Sequence, residues 1–298
     1  MHDDELEIGV GLVRRLLVRQ QPQWSDLPLQ PVPSSGTESA LFRLGGEMVV
    51  RMPRIHWAVD AIDKEHRWLP ILAPHLPLIV PMPLAKGEPG EGYPWPWSIY
   101  EWLHGEDALG GGIKDLSQAA TDIGRFVAAL QAIDTTDAPQ AVPGGRGAPL
   151  HTVDEQTRKA ITAARGLVDT GAVTAAWDAM LRVPGWGGPA VWFHGDIAGG
   201  NLLVRNGRVF AAIDFSGIGI GDPACDLAVA WELLDPDSRQ VLRAALAVDD
   251  PTWERARGWA LCTAMWALPY YLHSNPVMVT QARHKIDAVL KDMGYDSQ

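Results

Sequence analysis

The chain has 298 residues, of which 47% are hydrophobic and 20% are charged, and its formal net charge is −11. These values fit about two domains or lobes, exclude global disorder, and disfavour nucleic acid or an anionic membrane as the main partner. An acidic start, the lack of a long apolar run and only two cysteines predict a cytoplasmic protein without a signal peptide, spanning helix, disulfide or zinc site.

The first third of the chain predicts a small mixed unit of helices and strands. A polar, proline-rich connector is expected up to Pro33, before a hairpin that turns at Gly45-Gly46. The predicted elements are, in order, a helix over residues 4–20, strands over 41–44 and 48–52, a helix over 58–72, and strands over 78–80 and 97–100.

The remainder of the chain predicts mainly helices. The composition changes at His104-Gly105 and at glycines 110–112, which indicates the passage between two lobes. Residues 138–150 carry three prolines and three glycines and are predicted to form a surface loop. Apolar periodicity predicts helices around residues 123–133, 152–165, 172–181, 225–234, 239–248, 252–273 and 277–293.

Residues 192–226 carry the strongest functional signal. Asp196 lies five residues before Asn201, and Asp214 follows an apolar run where an ionised carboxylate is costly unless it is paired or bound to a metal. Phosphoryl transfer requires a carboxylate that accepts the proton of an acceptor hydroxyl, and two oxygen ligands for Mg²⁺. Protein kinases supply these groups as H-R-D-x-x-x-x-N and D-F-G. The same order predicts Asp196 as catalytic base, with Asn201 and Asp214 as metal ligands; the alternative is that these residues only cap turns.

Gly195 replaces the kinase arginine and Ser216 replaces the final glycine of D-F-G. Together with Gly221-Asp222-Pro223 and Asp226, this variant resembles the aminoglycoside phosphotransferase family over residues 36–234. The resemblance implies an α+β, bilobal protein-kinase-like fold. Residues 1–103 would form a small nucleotide-binding N-lobe with an antiparallel sheet, and residues 104–298 a larger, mainly helical lobe for catalysis and acceptor binding.

The resemblance also implies supporting residues around the catalytic loop. His194 is expected to be a scaffold residue that hydrogen-bonds to the backbone near Asp214. Asp226 is expected to brace the catalytic loop, and Asp222 to do the same or to face the acceptor.

The nucleotide side lacks both a Walker A sequence and a G-x-G-x-x-G loop. The small-residue turn at residues 34–39 can instead cradle phosphate oxygens through its backbone amides. Arg51 stands where kinases carry a lysine, and the resemblance makes Glu65 its partner. Residues 100–103 match the kinase hinge, which binds the purine edge through backbone groups. Because backbone contacts have no side-chain signature, the sequence does not distinguish ATP from GTP. The residues predicted to bind the nucleotide are Ser35, Gly36, Thr37, Arg51, Glu65, Glu101 and Leu103.

In the resembling family the acceptor pocket lies between the catalytic loop and the C-terminal helices, where acids meet ammonium groups. Glu232 and Asp235 are predicted to bind the acceptor in this way, with a solvated helix end as the equal alternative.

The predicted activity is Mg²⁺-dependent transfer of the γ-phosphate of ATP or GTP to a hydroxyl of a small cationic acceptor such as an aminoglycoside, by a monomer or dimer. The alternatives are a kinase of a small hydroxylated metabolite (choline, homoserine or sugar-amine type) and a nucleotide-binding pseudo-kinase.

Overall fold

The computed structural model describes residue 6, residues 8–33 and residues 38–295. The described chain falls into two compact units. The N-terminal unit extends to Gly105 without residues 75–78, and the C-terminal unit comprises those four residues and the chain from Glu106 onward. No helix among the described residues is long and apolar enough to cross a membrane.

The N-terminal unit is built on a five-stranded antiparallel sheet in the order β1-β2-β3-β5-β4. Alternate residues of β2 are buried, which is the pattern of a strand with one face on the core. Val13, Leu16 and Leu17 of α1 join that core. The elements are α1 (Val10–Gln20), β1 (Leu29–Val32), β2 (Ser39–Leu44), β3 (Met48–Pro53), α2 (Val59–Leu72), β4 (Pro83–Gly87) and β5 (Trp97–Glu101).

Two predictions for this unit are wrong. The expected connector contains the edge strand β1, in which Pro31 is tolerated because an edge strand does not need every backbone donor. The expected strand at residues 78–80 is not a strand, and the edge strand β4 follows it instead. Leu78 and Val80 are buried side chains of an irregular segment in which Ile79 forms a single bridge, so their hydrophobicity reflects packing more than strand pairing.

The C-terminal unit is mainly helical and contains two small sheets, β6-β8-β9 and β10-β7. Three of its helices begin after an Asp or Asn whose side chain accepts a backbone bond, with proline in the first turn: α7 after Asp235, α8 after Asp249 and α9 after Asn275. The strands are β6 (Glu106–Asp107), β7 (Val191–Phe193), β8 (Leu202–Arg205), β9 (Arg208–Ala212) and β10 (Gly219–Gly221). The helices are α3 (Leu116–Gln131), α4 (Asp154–Ala163), α5 (Thr170–Leu181), α6 (Ala230–Leu233), α7 (Pro236–Ala245), α8 (Asp250–Tyr271) and α9 (Pro276–Asp292).

The predicted surface loop at residues 138–150 has an irregular backbone with exposed residues at 142–144, and it is also bonded along β10. The amide of Ala141 donates to the carbonyl of Ile220 (2.9 Å), and the amide of Ile220 donates to the carbonyl of Pro139 (2.8 Å). The amide of Asp222 donates to the carbonyl of Gly147 (2.8 Å). The backbone groups of this Pro- and Gly-rich segment are thus satisfied by hydrogen bonds to residues 220–222, which follow Asp214 in the chain.

Candidate active site

Two short turns bring the predicted functional residues together in the C-terminal unit. The first follows β7 at Gly195, whose φ is +87° and where an added Cβ would lie 2.6 Å from the carbonyl oxygen of Gly217. Only glycine fits a position with both this φ and this contact. The β8–β9 hairpin turns at Asn206-Gly207, with φ of 55° and 87°, as a two-residue turn of this composition requires. The turn after β9 begins at Asp214.

Asp196 and Asn201 lie side by side in the loop between β7 and β8. The amide Nδ2 of Asn201 donates to Asp196 Oδ2 (2.8 Å) and to the Asp196 carbonyl (3.0 Å). The Asp196 side chain is 49% exposed. Because the amide nitrogen of Asn201 faces Asp196, its Oδ1 is directed away from that carboxylate and suits a cation.

Asp214 adopts a left-handed backbone conformation, with φ 61° and ψ 73°. Such a conformation is uncommon outside glycine, although Asp and Asn tolerate it, and it is frequent at functional sites. Its Oδ1 accepts a long bond from the amide of Ser216 (3.4 Å). The preceding residue, Ile213, donates its amide to the carbonyl of Asn201 (2.9 Å), which ties the two predicted metal ligands together through the backbone.

His194 is completely buried between these two turns. The amide of Asp196 donates to its Nδ1 (3.2 Å), and its Nε2 lies 3.2 Å from the carbonyl of Ile213. Nδ1 therefore accepts, and Nε2 carries the proton that is donated to Ile213. The ring also packs on Phe215 at a centroid distance of 4.4 Å. The bond to the backbone beside Asp214 is the one expected of a scaffold histidine.

Asp226 lies beneath the catalytic loop and is completely buried. Its carboxylate accepts bonds from the amides of His194 (2.8 Å) and Gly195 (2.7 Å). Burial raises the pKa of Asp226, and the nearby His194 and the two amide donors offset this in part. Asp222 pairs with the buried Arg255 (2.7 Å) and caps Ala224, so it does not face an acceptor.

Glu232 and Asp235, predicted to bind the acceptor, are both engaged elsewhere. Glu232 accepts from the amide of Gly199 (2.7 Å) in the catalytic loop and forms an ion pair with Lys285 of α9. Burial alone would raise the pKa of Glu232, but Lys285 and the Gly199 amide outweigh it and lower that pKa. Asp235 is the N-cap of α7 and accepts from the amide of Ser238 (2.8 Å). Both carboxylates therefore have partners within the fold, and their contact with an acceptor stays a prediction.

In the N-terminal unit, Arg51 and Glu65 form the predicted ion pair, with Arg51 Nη1 lying 2.9 Å and 3.1 Å from the two carboxylate oxygens. The hydroxyl of Tyr100 also donates to Glu65, a partner that the sequence did not indicate. Glu101 ends β5, and Leu103 follows it. Ser35, Gly36 and Thr37 lie outside the described residues.

Sequence reasoning also missed Arg146, a charged residue beside the catalytic loop. Arg146, in the segment along β10, places Nη2 3.7 Å from Asp196 Oδ1. Its only sequence signal is that it is the single charged residue in the Pro- and Gly-rich stretch 138–150. Such a signal does not identify a contact with a residue so distant in the chain.

The model of the Phosphotransferase enzyme family matches residues 29–259 of the chain. Aminoglycoside 3'-phosphotransferase of Escherichia coli is 37% identical over 78 residues, which cover 25% of this chain and 29% of that protein. The chain thus matches less than a third of that relative's length. The family match confirms the resemblance seen in the catalytic stretch.

Solved structures share the fold at low sequence identity. The GDP complex of aminoglycoside 2'-phosphotransferase-IIIa has a TM-score of 0.73 and 16% identity, with 94% of this chain and 98% of that chain covered. The apoenzyme of macrolide 2'-phosphotransferase from Brachybacterium faecium has a TM-score of 0.61 and 21% identity, with coverages of 94% and 97%. These likenesses confirm the predicted bilobal, kinase-like α+β fold.

Proposed function

The chain belongs to the phosphotransferase enzyme family, and we propose on that premise that it transfers the γ-phosphate of a nucleoside triphosphate to a hydroxyl of a small molecule. The observation that carries this proposal is the Asp196–Asn201 pair. One carboxylate oxygen of Asp196 is fixed by the amide of Asn201, and the side chain is half exposed. A carboxylate held in this way is oriented and still accessible to a substrate, which a purely structural acid would not need to be.

Asp196 acts as the general base. An acceptor hydroxyl binds to Oδ1, its oxygen attacks the γ-phosphorus, and the bond from that phosphorus to the bridging oxygen breaks to release the nucleoside diphosphate. The hydroxyl proton passes to Oδ1 late in this step. His194 and Asp226 do not exchange protons with the substrate; they hold the loop on which Asp196 lies.

Asn201 Oδ1 and the Asp214 carboxylate fit a magnesium ion. No group of three or more His, Cys, Asp or Glu that could hold a metal occurs within residues 6, 8–33 and 38–295. This suits Mg²⁺, which proteins bind through one or two side chains together with substrate phosphates. The ion, when bound, neutralises the charge that develops on the phosphate oxygens.

The N-terminal unit supplies the nucleotide site. Arg51 is positioned by Glu65, and a guanidinium so held can donate to phosphate oxygens as a fork. Solved relatives in complex with GDP and with streptomycin and ATP support a nucleotide co-substrate. Residues 1–103 are thus assigned to the nucleotide, with 35–37 cradling phosphates and the backbone of Glu101 and Leu103 reading the base, and residues 104–298 to catalysis and the acceptor.

Antibiotics of the aminoglycoside and macrolide classes are the first acceptors to test, because relatives named for both classes share the family or fold. A kinase of a small hydroxylated metabolite is the second candidate. It is favoured by one observation, namely that Glu232 already forms an ion pair with Lys285 within the fold, so its charge is not left for an ammonium group of an acceptor.

The test is a panel of hydroxylated acceptors assayed with ATP and with GTP in the presence of Mg²⁺. Nucleoside diphosphate release that depends on the acceptor, with a phosphorylated acceptor seen by mass spectrometry, is the expected result. Nucleotide binding without transfer to any acceptor would instead indicate a pseudo-kinase.

A further inference from the structure

Arg146 is held in a defined place beside the catalytic loop. The next residue, Gly147, has a φ of +72°, and a Cβ there would lie 2.0 Å from the Phe193 ring at the end of β7. A Cβ at Gly221 would likewise lie 2.5 Å from the carbonyl oxygen of Gly147. These close approaches, together with the backbone bond from Asp222 to Gly147, fix the chain on which Arg146 lies.

The guanidinium of Arg146 is flanked by two indole rings of α8. Its Cζ lies 5.7 Å from the ring centroids of both Trp259 and Trp266, within the range of cation–π attraction. Nη1 is buried without a hydrogen-bond partner among the described residues. Because no carboxylate fork within the described chain holds the guanidinium, Nη2 keeps donors on the side that faces Asp196.

Nη2 of Arg146 lies 3.7 Å from Asp196 Oδ1. This separation exceeds the length of a hydrogen bond, about 2.7–3.2 Å, so Arg146 and Asp196 do not form a direct hydrogen bond. Asp196 Oδ2 already accepts from Asn201, which leaves Oδ1 as the oxygen for an acceptor hydroxyl. A hydroxyl bound to Oδ1 therefore has a permanent positive charge as its neighbour.

We propose that Arg146 contacts the acceptor and selects molecules with an oxygen, neutral or anionic, beside the reacting hydroxyl over molecules with an ammonium there. The inference rests on the proposed function, because it is Asp196 that places the hydroxyl. A guanidinium donates to hydroxyl, ether or carboxylate oxygens and repels an ammonium at the same distance. Glu232, a second acid beside the catalytic loop, is already paired with Lys285.

The experiment compares two probes that share their hydroxyls and differ in charge: kanamycin and fully N-acetylated kanamycin. Turnover (kcat/KM) and calorimetric affinity are measured for both probes with the full-length wild type and with Arg146→Gln and Arg146→Lys. Arg158→Gln is the matched control, because Arg158 is an exposed arginine of α4 paired with Asp154 and Asp178. The melting temperature of each variant confirms that it is folded.

In the wild type the N-acetylated probe should be the better ligand. Arg146→Gln should reduce its advantage over kanamycin by about tenfold or more, Arg146→Lys should retain the charge preference, and Arg158→Gln should leave it unchanged. Equal losses for both probes in Arg146→Gln would overturn the inference, because they would assign Arg146 to a step common to all acceptors. An unchanged ratio would overturn it as well. A wild type that binds and phosphorylates neither probe refutes the proposed function for this acceptor class, and the inference falls with it.

Discussion

The acids of the catalytic segment form two groups that differ in burial. The front acids, Asp196 and Asp214, are partly exposed at the two turns. The back acids, Asp222, Asp226 and Glu232, are buried, and each has donors within the C-terminal unit. A buried carboxylate is stable only when its oxygens are satisfied, whereas a partly exposed one can be reached by a ligand. Among acids of the same chemistry, burial therefore distinguishes those that hold the loop from those that are proposed to meet the substrate.

Removing Asp226 should have the largest effect on stability. Asp226→Ala leaves the amides of His194 and Gly195 buried without acceptors, at about 1–3 kcal/mol each, so the free energy of unfolding should fall by about 2–6 kcal/mol. Denaturant titration measures this. Asp178→Ala is the control, because that exposed acid forms a surface ion pair worth about 1 kcal/mol or less. Equal unfolding free energies of the two variants would contradict the claim that Asp226 stabilises the fold as a buried acceptor.

Glu232→Gln should lower the free energy of unfolding by less, about 1–3 kcal/mol at neutral pH. Glutamine still accepts from the Gly199 amide but lacks the charge that faces Lys285. Since the fold lowers the pKa of Glu232 below its usual 4.5, this stabilisation is complete above pH 4.5 and is lost as the pH falls through the lowered pKa. The difference in unfolding free energy between wild type and variant should therefore shrink below pH 4.5. A difference that grows on acidification would contradict the assignment.

The Arg51–Glu65 pair of the N-terminal unit extends the comparison to a largely buried ion pair that is proposed to contact the nucleotide. Arg51→Ala should raise the KM for nucleotide by about tenfold or more, since a charge-assisted bond contributes about 1.5–3 kcal/mol, with a small change in kcat. Glu65→Ala should have a milder effect, because it removes only the partner that orients the guanidinium. Arg67→Ala, at an exposed position on α2, is the control. Steady-state kinetics with varied nucleotide measures these constants. A wild-type KM for nucleotide in Arg51→Ala would contradict the assignment of Arg51 to nucleotide binding.

Features set by neighbouring residues in the chain could be predicted from the sequence. The spacing of Asp196, Asn201 and Asp214, and the Asn206-Gly207 turn, predicted the strand–turn frame in which the structure places them. Local chemistry decides such turns, because φ and side-chain hydrogen bonding act over two or three residues. The fold class followed from the same stretch.

Features set by distant contacts could not be predicted. Glu232 looked like an acid available to a substrate because its partner, Lys285, lies on α9 at the far end of the chain. The bonds that join the loop carrying Arg146 to β10 were not predicted, because they are made between segments far apart in the chain. The same limit explains β1, whose pairing with β2 and not its own composition makes it a strand.

The most direct test of the account compares Asp196→Asn with Asp214→Asn. An amide at position 196 cannot accept the acceptor's proton, so kcat should fall by about 10²–10⁴-fold while the affinity for Mg²⁺ and nucleotide is retained. Asp214→Asn should weaken Mg²⁺-nucleotide binding as well as turnover, because a metal ligand is lost. Calorimetric affinities and kcat for both variants give the answer. Near-normal turnover in Asp196→Asn with its acceptor would contradict the proposal that this carboxylate is the base for phosphoryl transfer.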